Sequence, residues 1–102
     1  QVISFIPSDP LHGLEGLKHL PTAMVPAIYD PDIADIELTA GTEEAYEMAR
    51  RLAVEEGLFV GPSSAAAVVA SIQLAEEIST GTIVTVFPDS GLKYVSEEFW
   101  ES

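Results

Sequence analysis

The chain has 102 residues, enough for one domain, and 17 acidic against 4 basic residues give it a net charge of −13, yet 47% of it is hydrophobic and its mean hydropathy is +0.24. That apolar content excludes an acidic disordered tail, and the charge argues against nucleic acid and anionic membranes, polyanions that recruit Lys and Arg. The absence of cysteine removes disulfides, thiolate metal sites and a Cys nucleophile.

No apolar run approaches the ~20 residues of a membrane span, and no basic n-region precedes an apolar stretch, so the expected setting is cytoplasmic. The acidity fits either a halophile's surface or a face balanced by a further segment. The chain starts at Gln1, directly on strand-like Val2-Ile3-Ser4-Phe5-Ile6, and reads as part of something longer. Pro7 closes that strand. An irregular region to about Asp35 follows, with Pro10, Pro21, Pro26, Pro31, Gly13 and Gly16, in which only Leu14–Leu20 suits a helical turn or two. A loop of this length in a compact domain is functional or packed on a neighbour.

Ile36–Thr39 reads as a second short strand. Thr42 is the expected N-cap of a helix whose Ala45, Met48, Ala49, Leu52 and Ala53 share one face, with Glu47 placed to pair with Arg51 and Gly57 as the stop. Leu58-Phe59-Val60 reads as a strand, and Ser63 as the cap of a helix running to about Ile78 and ended by Gly81. The first half of that helix is apolar on every side and needs cover all round. Thr82–Phe87, TIVTVF, reads as a buried strand, Pro88-Asp89-Ser90-Gly91 as a turn, and Glu97–Ser102 as a terminal helix. Alternating strands and helices predict an α/β layer with a few parallel strands and covering helices.

Gly61-Pro62-Ser63-Ser64-Ala65, between strand and helix, has the look of a nucleophile elbow, but the only histidines, His12 and His19, precede the serines, so a self-contained hydrolase is rejected. A helix start also favours anions, yet Pro62 removes a donor and no Lys follows, so it is no P-loop. Taken alone, Ser63 is a plain cap. Ligands in open α/β sheets sit beyond the carboxyl ends of strands, so if Leu58–Val60 and Thr82–Phe87 are parallel neighbours, Gly61–Ser64 and Pro88–Gly91 converge on one crevice. His12, Glu15 and His19 offer potential metal ligands, but they read as structural or surface groups, and no metal is expected. Lys18 and Lys93, the only lysines, lie in no desolvating apolar context.

The blocks TEEAYEMARRLAVEEGLFVGPSSAAA and TIVTVFPDSGLKYVS resemble the C-terminal part of cysteine synthase (O-acetylserine sulfhydrylase) and its cystathionine β-synthase relatives. The resemblance covers nearly the whole chain. It implies that residues 1–102 are an incomplete domain, part of the large domain of a fold-type II (tryptophan synthase β-like) enzyme that uses pyridoxal 5'-phosphate. It further implies that Ser63 donates to the pyridine nitrogen, with Pro88 and Asp89 lining the same ring edge and no catalytic residue in the chain. The family pattern is commonly G-I-S-S-G-A, whereas Pro62 and Ala65 stand here; neither removes the Ser63 hydroxyl.

The family's Schiff-base lysine, substrate-carboxylate loop and phosphate loop lie upstream of the matching part, so the chain alone is expected to be inactive. The whole enzyme, a homodimer, would turn O-acetylserine or O-phosphoserine into cysteine by β-replacement with a sulfur donor. The segment PLHGLEGLKHLPTAMVPAIYDP is similar to the branch that takes sulfur from a thiocarboxylated carrier protein. The reading of a different class is a non-catalytic acidic module that binds a protein partner through its Pro/Gly-rich loop, with Ser63 a mere cap.

Overall fold

The computed structural model describes residues 1–101. Strand β1 (Ile3–Pro7) pairs in parallel with β2 (Ile36–Ala40), Ile3 opposite Ile36 and Pro7 opposite Ala40. Pro7 closes β1 as expected, since a proline cannot donate to a ladder. The crossover between these strands is the long Pro/Gly loop rather than a helix, and side chains tie it down. Asp35 Oδ2 accepts from Val2 N at 2.7 Å, Thr42 Oγ1 from Gly13 N at 3.1 Å, and Tyr46 Oη donates to Gly13 O at 3.3 Å. Leu14 is fully buried beneath the loop. The region predicted as a helical turn or two holds only isolated turns, among them Leu17 N to Leu14 O at 3.2 Å.

Helix α1 (Thr42–Arg51) begins at its predicted cap, so its actual cap lies one residue earlier. Gly41 is the N-cap, which frees the Thr42 hydroxyl to anchor the loop. Glu43 and Glu44 in its first turn and Arg50 and Arg51 in its last complement the helix dipole. The expected Glu47–Arg51 pair is replaced by Glu47–Arg50 at 2.6 Å and Arg51–Glu55 at 3.0 Å. The second arises because α1 continues into a π-helical turn, Leu52–Glu56, which Gly57 ends at φ 69, a left-handed conformation that glycine adopts without strain.

Helix α2 (Pro62–Glu77) buries Pro62 to Ala67, Val69 and Ala70. Its alanines meet Ala45 and Ala49 of α1 in the core, with Leu14, Ala40, Leu52 and Val60, so the two helices approach through small side chains. Gln73 Nε2 reaches Thr39 O at 3.0 Å and fastens α2 to β2. The helix stops at Glu77 with Ile78 extended, ahead of Gly81. The chain then closes with 3₁₀ turns at Gly91–Tyr94 and Glu98–Glu101; Ser102, the last residue of the expected terminal helix, lies outside the described residues.

Two predicted strands do not form. Leu58–Val60 contributes one antiparallel bridge, Val60 to Ser90. Thr82–Phe87 belongs to no sheet, and Val84 and Val86 are 86% and 76% exposed. Ladder bonds need a backbone about 5 Å away, and a crevice floored by Ala67, Ala70 and Leu74 of α2 separates Thr82–Thr85 from Ile3 and Phe5 of β1. The apolar pattern of TIVTVF is strand-like, but no backbone among the described residues lies beside it to complete the ladder. Among those residues no helix is long and apolar enough to cross a membrane.

Leu14 is the loop's apolar anchor, so Leu14→Ala is expected to cost about 2–5 kcal/mol in chemical denaturation, whereas Leu11→Ala, at a 93% exposed position on the same loop, is expected to change little.

Candidate functional site

The residues from Phe59 to Ser64 and from Asp89 to Tyr94 form one joined structure. Gly91 N donates to Phe59 O at 3.0 Å, and Gly61 N donates to Asp89 O at 3.4 Å. Ser64 Oγ, fully buried, donates to the same Asp89 carbonyl at 3.4 Å. The two turns therefore converge as expected, but through an antiparallel bridge and side-chain bonds rather than parallel strands.

Glycine is required at both crossings. A Cβ on Gly91 would stand 2.7 Å from the Phe59 ring. One on Gly61 would collide with Asp89 Oδ1 and stand 2.7 Å from Tyr94 Cε2. Gly61, extended at φ −77 and ψ 171, is the N-cap of α2, with Pro62 opening the helix. Ser63 is thus not the cap. It lies inside the first turn, 4% exposed, and no side chain caps the helix. The loop comes over it, for a Cβ on Gly16 would lie 3.9 Å from Ser63 Oγ.

Asp89 is held through one oxygen of its carboxylate. Tyr94 Oη donates to Oδ2 at 2.6 Å, a short charge-assisted bond, while Oδ1 is buried against Gly61 with no partner. The hydrogen bond to Asp89, followed by burial and the carboxylate's charge, pushes the Tyr94 hydroxyl up to about 12. Trp100 Nε1 donates to Tyr94 O at 2.9 Å and holds that turn from behind. Pro88 shapes the turn from its exposed side, and Ser90 Oγ accepts from Leu92 N at 3.1 Å.

Next to Pro62 and Tyr94 a cavity is lined by His12, Glu15, Tyr46 and Glu97. Burial raises the Tyr46 hydroxyl, and Glu97, Glu43 and Glu15 add to the effect. The suggested ligands of the loop serve its turns instead. His12 Nδ1 accepts from Leu14 N at 3.2 Å, and His19 Nδ1 bonds Thr22 Oγ1 at 2.9 Å. Lys18 is exposed, and Lys93 lies 5.5 Å over the Tyr94 ring. The structure thus brings the Ser63 and Asp89 turns together. Sequence reasoning overlooked Ser64 and Tyr94. The spacing of Tyr94 after PDSG was the available signal for one; nothing local distinguished the buried hydroxyl of Ser64.

The site offers a buried serine hydroxyl that is not spent on a cap. That donor fits the acceptor nitrogen of a flat heteroaromatic ring, and so fits pyridoxal phosphate.

Comparison with known proteins agrees. The family described as "Pyridoxal-phosphate dependent enzyme" matches residues 8–89. The cysteine synthase of Aquifex aeolicus is 48% identical over 100 residues, 94% of this chain and 31% of that protein. The crystal structure of cysteine synthase from Entamoeba histolytica superposes with a TM-score of 0.89 at 27% identity over 100% of this chain and 32% of that one. The O-acetylserine dependent cystathionine β-synthase from Helicobacter pylori gives 0.83 at 28% identity, over 98% and 35%. The chain spans about a third of the length of these relatives.

Two outcomes test the crossing. Gly61→Ala is expected to lower stability by about 1–3 kcal/mol, read as a fall in Tm. In alkaline titration, the phenolate absorbance that Tyr94→Phe removes is expected to rise near pH 12. An unfolded tyrosine ionises near pH 10, so the stability this hydroxyl contributes is complete below that pH and lost between there and about 12.

Proposed function

Because the chain belongs to the family of pyridoxal-phosphate dependent enzymes, we propose that it is the C-terminal third of a cysteine synthase, with Ser63 holding the cofactor's ring nitrogen. The observation that carries the assignment is Ser63 itself, buried in the first turn of α2 and free of capping duty. Its relatives' names and the high structural similarity support the wider reading.

Bound pyridoxal phosphate supplies an electron sink for loss of a leaving group from the β-carbon of an amino acid and addition of a nucleophile there. Ser63 keeps its own proton on Oγ and donates it as a hydrogen bond. A hydroxyl is too weak an acid to pass that proton to the ring, so the sink stays moderate, which suits β-replacement and limits racemisation. Asp89 and Pro88 shape the adjoining turn, and Ser64 fixes that turn to α2 through the Asp89 carbonyl. The helix below excludes water, because Ala65, Ala66 and Ala67 are all buried.

The substrate is an activated serine. Between O-acetylserine and O-phosphoserine, the name of the Helicobacter pylori neighbour favours O-acetylserine. Cysteine is the product, and the sulfur donor is sulfide or a thiocarboxylated carrier protein, as the similarity of the long loop suggests. Neither lysine approaches Ser63's turn with the burial that Schiff-base chemistry asks for, so the reacting groups belong to the rest of a cytoplasmic, homodimeric enzyme and the chain alone is inactive.

In the full-length enzyme, Ser63→Ala is expected to raise the Kd for pyridoxal phosphate about three- to tenfold, the size of one hydrogen bond, measured by equilibrium dialysis. An unchanged Kd with unchanged turnover would show that Ser63 does not hold the ring.

A further inference from the structure

The Tyr94 side chain is 3% exposed, yet nothing in the functional reading has used it. Three contacts define it. Its ring lies along Gly61, where a Cβ would come within 2.7 Å of Cε2. Its carbonyl accepts from Trp100 Nε1, and its hydroxyl donates to Asp89 Oδ2 at 2.6 Å. The first two hold the ring in place without the hydroxyl. The third reaches a carboxylate whose other oxygen, Oδ1, is buried against Gly61 with no donor.

Asp89 in turn touches the start of α2 by both side chain and backbone. Its carbonyl takes Gly61 N and Ser64 Oγ, the residues on either side of Pro62 and Ser63. A half-buried carboxylate that loses its one side-chain donor finds the lowest free energy by turning to water. That turn would withdraw Oδ1 from Gly61, the N-cap residue that sets where Pro62 and Ser63 enter α2. The Tyr94 hydroxyl is therefore the outermost link of a chain Tyr94–Asp89–Gly61/Ser64 that ends at the ring-nitrogen donor.

We propose that Tyr94 is a positioning residue, which locks the Asp89 carboxylate against Gly61 and so sets the orientation of Ser63 toward the cofactor ring. This rests on the assignment of Ser63 to pyridoxal phosphate. It deepens that assignment by naming what aims the serine.

The test uses the full-length enzyme and three variants, Tyr94→Phe, Asp89→Asn and the double substitution. Each is measured for Tm, for Kd of pyridoxal phosphate, and for the visible circular dichroism per bound cofactor, which reports how firmly the ring is oriented. Tyr94→Phe keeps the ring contacts and is expected to raise Kd about fivefold, within the loss set by Ser63→Ala because it acts through that serine's hydrogen bond. Its dichroism is expected to fall by about half, measured well below Tm. In Asp89→Asn the tyrosine can still donate to a neutral amide oxygen, a bond about half as strong, so an intermediate loss of about threefold is expected. The double variant is expected to be no worse than Tyr94→Phe, because the two residues act as one link.

A Tyr94→Phe enzyme with lower Tm but wild-type Kd and dichroism would overturn the proposal, leaving Tyr94 a structural residue. So would losses that multiply in the double variant. If Tyr94→Phe does not fold, wild-type Kd and dichroism in Asp89→Asn overturn it alone. Failure of the underlying assignment looks different. There Ser63→Ala itself leaves Kd unchanged, whereas a sensitive Ser63 beside silent Tyr94 and Asp89 variants sinks only the present inference.

Discussion

At Gly61 the chain passes so close to Asp89 and Tyr94 that no side chain fits between them. Because that position is bare, the start of α2 can press on a carboxylate, and the carboxylate can be gripped from the far side by the Tyr94 hydroxyl. The rest follows from this contact. Val60 bridges to Ser90, Ser64 reaches the Asp89 carbonyl, and Gly91 lies flat on the Phe59 ring for the same reason of missing bulk. Backbone approach at two glycines thus does what a longer sheet would otherwise do, bringing turns far apart in sequence to one place.

The second constraint is the apolar surface of α2. A helix start buried from Pro62 to Ala67 must be covered on several sides. The structure does so with α1 on one face, β2 and Gln73's contact on another, and the turn around Asp89 at its end. Toward Thr82–Thr85 the cover is an open crevice with β1 on its far side. An unpaired strand-like segment and a sheet of only two strands belong together physically. Both have backbone groups available for pairing, and the chain spans about a third of its relatives' length.

Much of the local structure could be read from residue types. Pro7 closing β1, the acid-to-base polarity of α1, Gly57 in a left-handed conformation and the small residues of α2 each follow from steric or electrostatic rules that act within a few residues. The errors have one kind of cause. Thr42 and Ser63 have the chemistry of N-caps, but Gly41 and Gly61 hold those places: the hydroxyl of Thr42 bonds the distant loop, and Pro62 opens α2 so that Ser63 stands two residues past the cap, within the first turn. Glu47 met Arg50 instead of Arg51 because α1 runs on into a π-helical turn that gives Arg51 a partner in Glu55.

The family was legible in the sequence alone, through the GPSS and PDSG blocks and their separation. So was the alternation of apolar runs that marks an α/β layer. Tertiary structure alone decided which of those runs became strands, because a ladder depends on a second backbone about 5 Å away and not on the side chains of the first. It alone also decided that Ser64 and Tyr94 belong to the site. Their roles arise from contacts across 25 and 5 residues with a single aspartate, and such contacts exist only once the glycines at 61 and 91 have let the two turns touch.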